Sequence, residues 1–484
     1  MSLLDLPDEL LLAIGSEIDS QHDLNVLSRA NRRLHNLLIA ELYHRDAGPQ
    51  KSVRWAVRMG KPKTLQKAQC FGIISDSDKC ALFHLAADHC QVSALEFFLP
   101  VDDSVLNWVS PPQFVGDDST TPLAAACRAG NHSVVKVLLD HNADHTIVTG
   151  RGRQPLHLAA WYGCPISIGY LLDNGADVFA TEERQWTPLH FASMRGDLDS
   201  VKLLVDSGAD ISAVEARRWT PLHFASRNGH LDIAELLVDR GADISVGCRG
   251  GRSPIYMAVD SSNLELVKFL LSKGCDPMGR ANRGQTPLHR AAKHNLHDIS
   301  KLLISHGSQV TARTDSGSTV LDWAARAGDI RMITSLLEAG AEPATINNEG
   351  VSALHLAAAH ASPEVVKALI DAGYDVNLKT LDKGYTPLYE ALIQRNIDTM
   401  EVLLAEGADA NAVIKSDGYT LLHVAAAAID GSVIAVRLLV ENGANTAARE
   451  DGGRTPLDLA VAIENICIVE FLSINDLLAH TKSW

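Results

Sequence analysis

The stretch TPLHFASRNGHLDIAELLVDRGAD, Thr220 to Asp243, nearly restates TPLHFASMRGDLDSVKLLVDSGAD, Thr187 to Asp210, 33 residues earlier. Tracing the opening Thr along the chain gives Thr121, Gln154, Thr187, Thr220, Ser253, Thr286, Thr319, Ser352, Thr386, Thr420 and Thr455. The steps are 33 residues until the last three, which are 34, 34 and 35. A fixed period of this length settles the architecture before the 484-residue length is divided into domains. Thr or Ser before Pro starts a helix, because the hydroxyl accepts a free N–H and Pro has no N–H to waste in the first turn. Leu222, Phe224 and Ala225 then face inward, NGH breaks the chain, and Ile233, Leu236 and Leu237 supply the stripe of a second helix closed by GAD. One such unit has too little apolar surface to fold alone, so neighbours must stack into one core.

These residues resemble the ankyrin repeat, whose TPLHxA signature and 33-residue period they carry. The resemblance implies an all-α ankyrin-repeat solenoid of about 13 helix-turn-helix units with short hairpin turns, preceded by a small F-box-like helical segment (below). Residues 120–475 hold the eleven clear repeats. Residues 51–100 hold two degenerate ones, SVRWAVRMGKPKTLQKAQCFG and ALFHLAADHCQVSALEFFL. Between them and Thr121, residues 101–119 read as an extended loop or hairpin, since Pro111 and Pro112 forbid a helix. Residues 476–484 read as a C-terminal tail.

Composition is that of a folded, soluble chain, with 46% hydrophobic and 21% charged residues. The first thirty residues carry Asp5, Asp8 and Glu9 and no basic leader, and no apolar run has the length of a membrane span, so a cytoplasmic or nuclear location without membrane contact is expected. A net charge of −16 disfavours nucleic acid as a partner. Eight cysteines without a CxxC pair read as small buried hydrophobes. Cys80, His84, His89 and Cys90 are close in sequence, but their spacing fits no usual zinc pattern, and no metal or cofactor is expected.

Catalysis is not expected either. GRGR and RGGR lie on turns with no strand before them and no GKT or GKS after them, which is not a phosphate-cradling loop. The recurring histidines 157, 190, 223, 289, 355 and 423 occupy the TPLH slot, where the resemblance implies hydrogen bonds to backbone near the Thr turn. Tyr256 and Tyr389 stand there in two repeats, and Ala124, Asp322 and Asp458 depart from the pattern.

The chain begins differently. Leu10, Leu11, Ile14 and Ile18 share a helical face after Pro7, and Leu24, Leu27, Ala30, Leu34 and Leu37 form a second stripe. LPDELL followed by DLNVLSRANRRLHNLL resembles the F-box, in particular the F-box-like segments ahead of ankyrin arrays in fungal proteins. That resemblance implies docking on the Skp-type adaptor of a cullin-RING ubiquitin ligase. Leu6 and Pro7 match the LP pair, Leu10, Leu11 and Ile14 the first helix, and Leu24, Leu27, Ser28, Arg32 and Leu34 the region after it. The other reading of residues 1–48 is a cap on the apolar end of the solenoid.

The five residues before the slots at 154, 187, 220, 253 and 286 are TGRGR, EERQW, EARRW, CRGGR and ANRGQ. They hold eight arginines, namely Arg151, Arg153, Arg184, Arg217, Arg218, Arg249, Arg252 and Arg283, where the chain average of basic residues gives about two. Trp161, Tyr162, Arg195, Arg227 and Arg326 on the first helices, and Trp186 and Trp219 beside the turns, add anchors. Together they read either as a groove for an acidic, phosphorylated or carboxyl-terminal peptide or as solvated turns. The function expected is a protein-protein interaction module. Its fuller form is a substrate receptor of an SCF-type ligase; the alternative is a non-catalytic scaffold or inhibitor.

Overall fold

The computed structural model describes residues 51–70, 74–99, 102–111, 120–414, 417–428 and 433–481. The adaptor-binding residues expected from Leu6 to Leu34 lie outside that range. Among the described residues there are thirteen helix-turn-helix pairs, one extra α-helical turn and two short 3-10 turns, the pairs running from Lys51–Arg58 with Pro62–Cys70 to Pro456–Ala462 with Ile466–Thr481. No strand is present among them; isolated bridges such as Thr149 with Arg153 and Arg313 with Thr319 close the tips between pairs. The chain divides between Asp243 and Ile244 into two compact units.

Most of the clear repeats start as the Thr-Pro pattern dictates, while Gln154 replaces the Thr in one and Val320, Ala353 and Leu421 replace the Pro in three. Thr187 precedes the helix Pro188–Arg195, with its hydroxyl facing the His190 N–H and the His190 ring reaching back to its own N–H, so two orphan donors of the first turn are satisfied at once. The helix ends at Gly196, whose φ of 89° is left-handed. A Cβ there would clash with the His230 ring of the next repeat, a second reason for Gly at this position.

The core is small and aliphatic. In the first unit Leu189, Ala192, Val201 and Leu204 are fully buried, as are Leu288, Leu303, Ala324 and Ile333 in the second. Each buried leucine contributes about 1.5–3 kcal/mol relative to an exposed one. Leu236, expected in the core stripe, is only half-buried, and Ala234 takes the inner position beside Ile233 and Leu237. The second helix presents its flank rather than a wide face, so a small residue fits the seam.

Two boundaries differ from expectation. A helical turn, Asp103–Leu106, lies within the stretch expected to be an extended loop, because Asp102 caps it by accepting the Val105 N–H and the prolines come later. Ser110 and Thr120 then close the loop's base, with the Ser110 N–H donating to the Thr120 carbonyl at 2.8 Å. At the other end, helix Ile466–Thr481 runs through positions assigned to a tail, since no Gly-Ala-Asp follows to stop it.

Candidate protein-binding surface

The tips are built from the backbone outward. In the repeat before Thr187, the Glu182 carboxylate is buried and accepts the N–H groups of Arg184 (2.7 Å) and Trp186 (3.3 Å), while the Glu182 N–H donates to the Trp186 carbonyl. Glu215 does the same one repeat later, accepting from Arg217 (2.8 Å) and Trp219 (3.1 Å). Each of these glutamates is consumed in folding its own turn. The signal was the position itself: a polar acceptor five residues before the helix start, taken by Asn347 in a later repeat, which accepts from Glu349 and Val351.

Successive tips are laced together. In the first unit Glu183 N–H donates to the Arg151 carbonyl and Ala216 N–H to the Arg184 carbonyl, both at 3.1 Å. Arg151, Arg184 and Arg217 therefore hold the same register in three consecutive tips, and all three side chains are exposed. Arg218, in left-handed conformation (φ 62°), and Arg195 on its helix are exposed as well. In the second unit Arg249, Arg252 and Arg283 are exposed, with the Arg283 carbonyl accepting from Asp315 at 3.0 Å.

Not every expected anchor is available. Trp219 is buried, its ring 5.0 Å from Phe224 and covered by the Arg227 guanidinium at 5.2 Å, so it supports the tip and presents no face to a partner. Trp186 is half-buried between Phe191 (4.9 Å) and Phe224 (4.5 Å). Arg153 is half-buried over Trp161 (5.6 Å) and Phe191 (5.3 Å). A ladder of rings from Trp161 to Trp219, with a guanidinium over each end, thus stiffens the base of the tips. Tyr162 stays exposed.

The slot histidines are structural. His190 Nε2 lies 3.1 Å from the carbonyls of both Ala213 and Trp219, and His157 Nε2 lies 3.0 Å from that of Ala180. Burial drives both rings down to about 4, which keeps them neutral at pH 7. His84, buried and 2.8 Å from the Thr120 hydroxyl, is likewise pushed to about 4. Neither Cys80, His84, His89 and Cys90 nor any other group among the described residues forms a cluster able to hold a metal. No helix among them is long and apolar enough to cross a membrane.

Comparison with known families agrees with this geometry. The family described as ankyrin repeats (3 copies) matches residues 83–182, 170–248, 189–281, 255–347, 321–414 and 403–480. The chain is an ankyrin-repeat protein. Ankyrin repeats are protein-binding modules, and the laced tips give this one a fixed surface of exposed arginines. The chain is similar to the palmitoyltransferase ZDHHC13 of Homo sapiens and of Pongo abelii, each 34% identical over 84 residues, or 17% of this chain. It spans 12% of the length of those curated relatives. Among solved structures it is similar to the human ASB11 ankyrin repeat domain, with 27% identity, a TM-score of 0.43, and coverage of 46% of this chain and 100% of that one.

Proposed function

We propose that this ankyrin-repeat protein is the substrate receptor of a cullin-RING ubiquitin ligase, joining an adaptor to a target and performing no chemistry itself. The F-box-like segment around Leu6, Pro7, Leu10 and Leu11 takes the Skp-type adaptor. The row Arg151, Arg184 and Arg217 takes an acidic or phosphorylated segment of the target, in the cytoplasm or nucleus. The observation that carries the target half is that row: three guanidiniums in one register, on tips joined by backbone hydrogen bonds. In the second and third of these tips the buried Glu182 and Glu215 are turned to backbone N–H groups, which leaves the exposed forks for a carboxylate or phosphate. The adaptor half rests on the sequence motif.

The test is co-purification of the full chain with a Skp-type adaptor, beside a Pro7→Ala, Leu10→Ala, Leu11→Ala variant and a truncation beginning at residue 49. Retention by the intact chain and loss in both variants supports the reading. No retention by the intact chain overturns it, and reduced solubility of the truncation would then assign residues 1–48 to capping the stack.

A further inference from the structure

The residue immediately before each helix start fills the gap between a tip and the first helices, and in most repeats it is planar. In the first unit the fillers are Arg153, Trp186 and Trp219, each packed on aromatic rings. In the second unit Arg252 lies over Tyr256 (5.8 Å), Tyr385 stacks on Tyr389 (4.0 Å), and Tyr419 packs on His423 (5.5 Å). Thr120 lacks a ring or guanidinium there in the first unit, and in the second unit three consecutive repeats lack one, with Gln285, Ser318 and Val351 in that position. All three line one cavity of about 700 Å³, which has room for a long side chain and several waters beside it.

The cavity's wall carries a second departure from the repeat. Asp322 stands in the histidine slot, 2% exposed. One carboxylate oxygen accepts the Thr319 N–H at 2.7 Å, as a histidine Nδ1 does elsewhere. The other, Oδ1, is buried with no hydrogen-bond partner. In two later repeats of this unit the corresponding histidine atom reaches the next tip, His355 Nε2 lying 3.1 Å from the Tyr385 carbonyl and His423 Nε2 3.1 Å from that of Arg454, while His289 Nε2 in the preceding repeat is buried without a partner, as Oδ1 is. A carboxylate cannot replace that donor, so an acceptor is left without a partner, buried just behind the cavity surface. Burial raises the Asp322 carboxyl to about 6, opposed by its hydrogen bonds with Thr319 and then by Arg313, and the Tyr374 phenol is raised by its own burial and then by the Asp322 charge. Trp323, half-buried in the same wall, already holds the Lys293 ammonium 5.7 Å from its ring centre. Asp315 and Glu349 on the rim outnumber the acid-seeking charge that Arg283 alone would bring, and with Arg326 the lining still keeps one more carboxylate than guanidinium.

We propose that this cavity takes the side chain of an arginine on a partner protein, its guanidinium laid on Trp323 and hydrogen-bonded to Asp322. The partner then supplies in trans the planar filler that Ser318 does not. A guanidinium satisfies the wall as no neutral aromatic does, because it brings two parallel donors and a positive charge to a buried carboxylate. The chemistry is opposite to that of the Arg151, Arg184 and Arg217 row, so the two surfaces recognise different segments.

The test is a titration of the full chain, labelled with 5-fluorotryptophan, against Nα-acetyl-argininamide, its neutral isostere Nα-acetyl-citrullinamide, and inorganic phosphate. The Trp323 resonance is assigned by its loss in Trp323→Phe. The expected result is a saturable shift of that resonance with argininamide and none with citrullinamide, weakened roughly tenfold in Asp322→Asn and as the pH falls below 6. Ser318→Trp, which copies the filler of the first unit and keeps the repeat intact, abolishes the shift. Equal shifts from citrullinamide, a shift from phosphate alone, no shift with any probe, or an argininamide response unchanged in Asp322→Asn would each overturn the proposal.

Discussion

His190 Nε2 lies 3.1 Å from the carbonyl oxygen of Trp219, 29 residues further along the chain, while its Nδ1 takes the Thr187 N–H at 3.1 Å. A single neutral ring therefore closes its own helix and ties one repeat to the next. Replacing it, His190→Ala, leaves the Thr187 N–H without its acceptor and removes the ring's bonds to the Ala213 and Trp219 carbonyls, and should cost about 1–3 kcal/mol. Urea denaturation would read this as a lower midpoint, and an unchanged midpoint would mean that the ring is mere filler.

The same rings set a pH dependence. His157 and His190 titrate near 4 in the folded chain, against an ordinary value of 6.5. Between these values the unfolded chain binds more protons, so folding stability is complete above about 6.5 and falls as the pH drops toward 4. Thermal melts from pH 7.5 to 4.5 should show this decline, and His157→Gln with His190→Gln should flatten it.

Asp322 should behave in the opposite sense. Its carboxyl is raised to about 6 from an ordinary 3.8, so the folded state holds the extra proton between those values and the contribution of this group is lost as pH rises through 6. Asp322→Asn keeps an acceptor for the Thr319 N–H and removes the buried charge, so it should stabilise the protein at pH 7 by roughly 1–3 kcal/mol. The same exchange at Asp458, where the carboxyl is exposed and is drawn down by the Thr455 N–H, should not stabilise. A destabilised Asp322→Asn at pH 7 would contradict this account. A residue that costs stability while lining a cavity is what a binding site looks like in a repeat that otherwise obeys its pattern.

The buried tip glutamates make a sharper test of the arginine row. Glu215→Ala frees the Arg217 and Trp219 N–H groups and should cost about 1–3 kcal/mol, while Arg217→Glu should leave the melting temperature within about a degree, since exposed substitutions change little. A large loss from Arg217→Glu would show that this side chain serves the fold rather than a partner.

Much of the fold was legible because one residue spacing recurs. Thr187 and His190, three apart, specify the helix start, and the 33-residue step specifies the stacking. What escaped depended on neighbours across repeats. Glu215 looks like any solvated turn residue until the backbone N–H groups it accepts are seen, and Trp219 looks like an anchor until Arg227 and Phe224 cover it. The cavity of the second unit had a visible signal in Ser318 and Asp322, two departures four residues apart. Their meaning required knowing that the preceding position fills a gap. The helix running to Thr481 was missed because an ending was expected where the stop signal is absent.

Under the proposed function, one end of this chain holds an adaptor while its arginine row holds an acidic target. The most direct measurement is a bridging assay in which an immobilised Skp-type adaptor captures a fluorescent glutamate- and phosphoserine-rich peptide through the full-length chain. The account predicts capture only when the chain is present, lost in Leu10→Ala with Leu11→Ala, lost separately in Arg151→Glu with Arg184→Glu and Arg217→Glu, and steeply weakened by salt. Adaptor capture without peptide, or peptide capture that survives reversal of the three arginines, would contradict it.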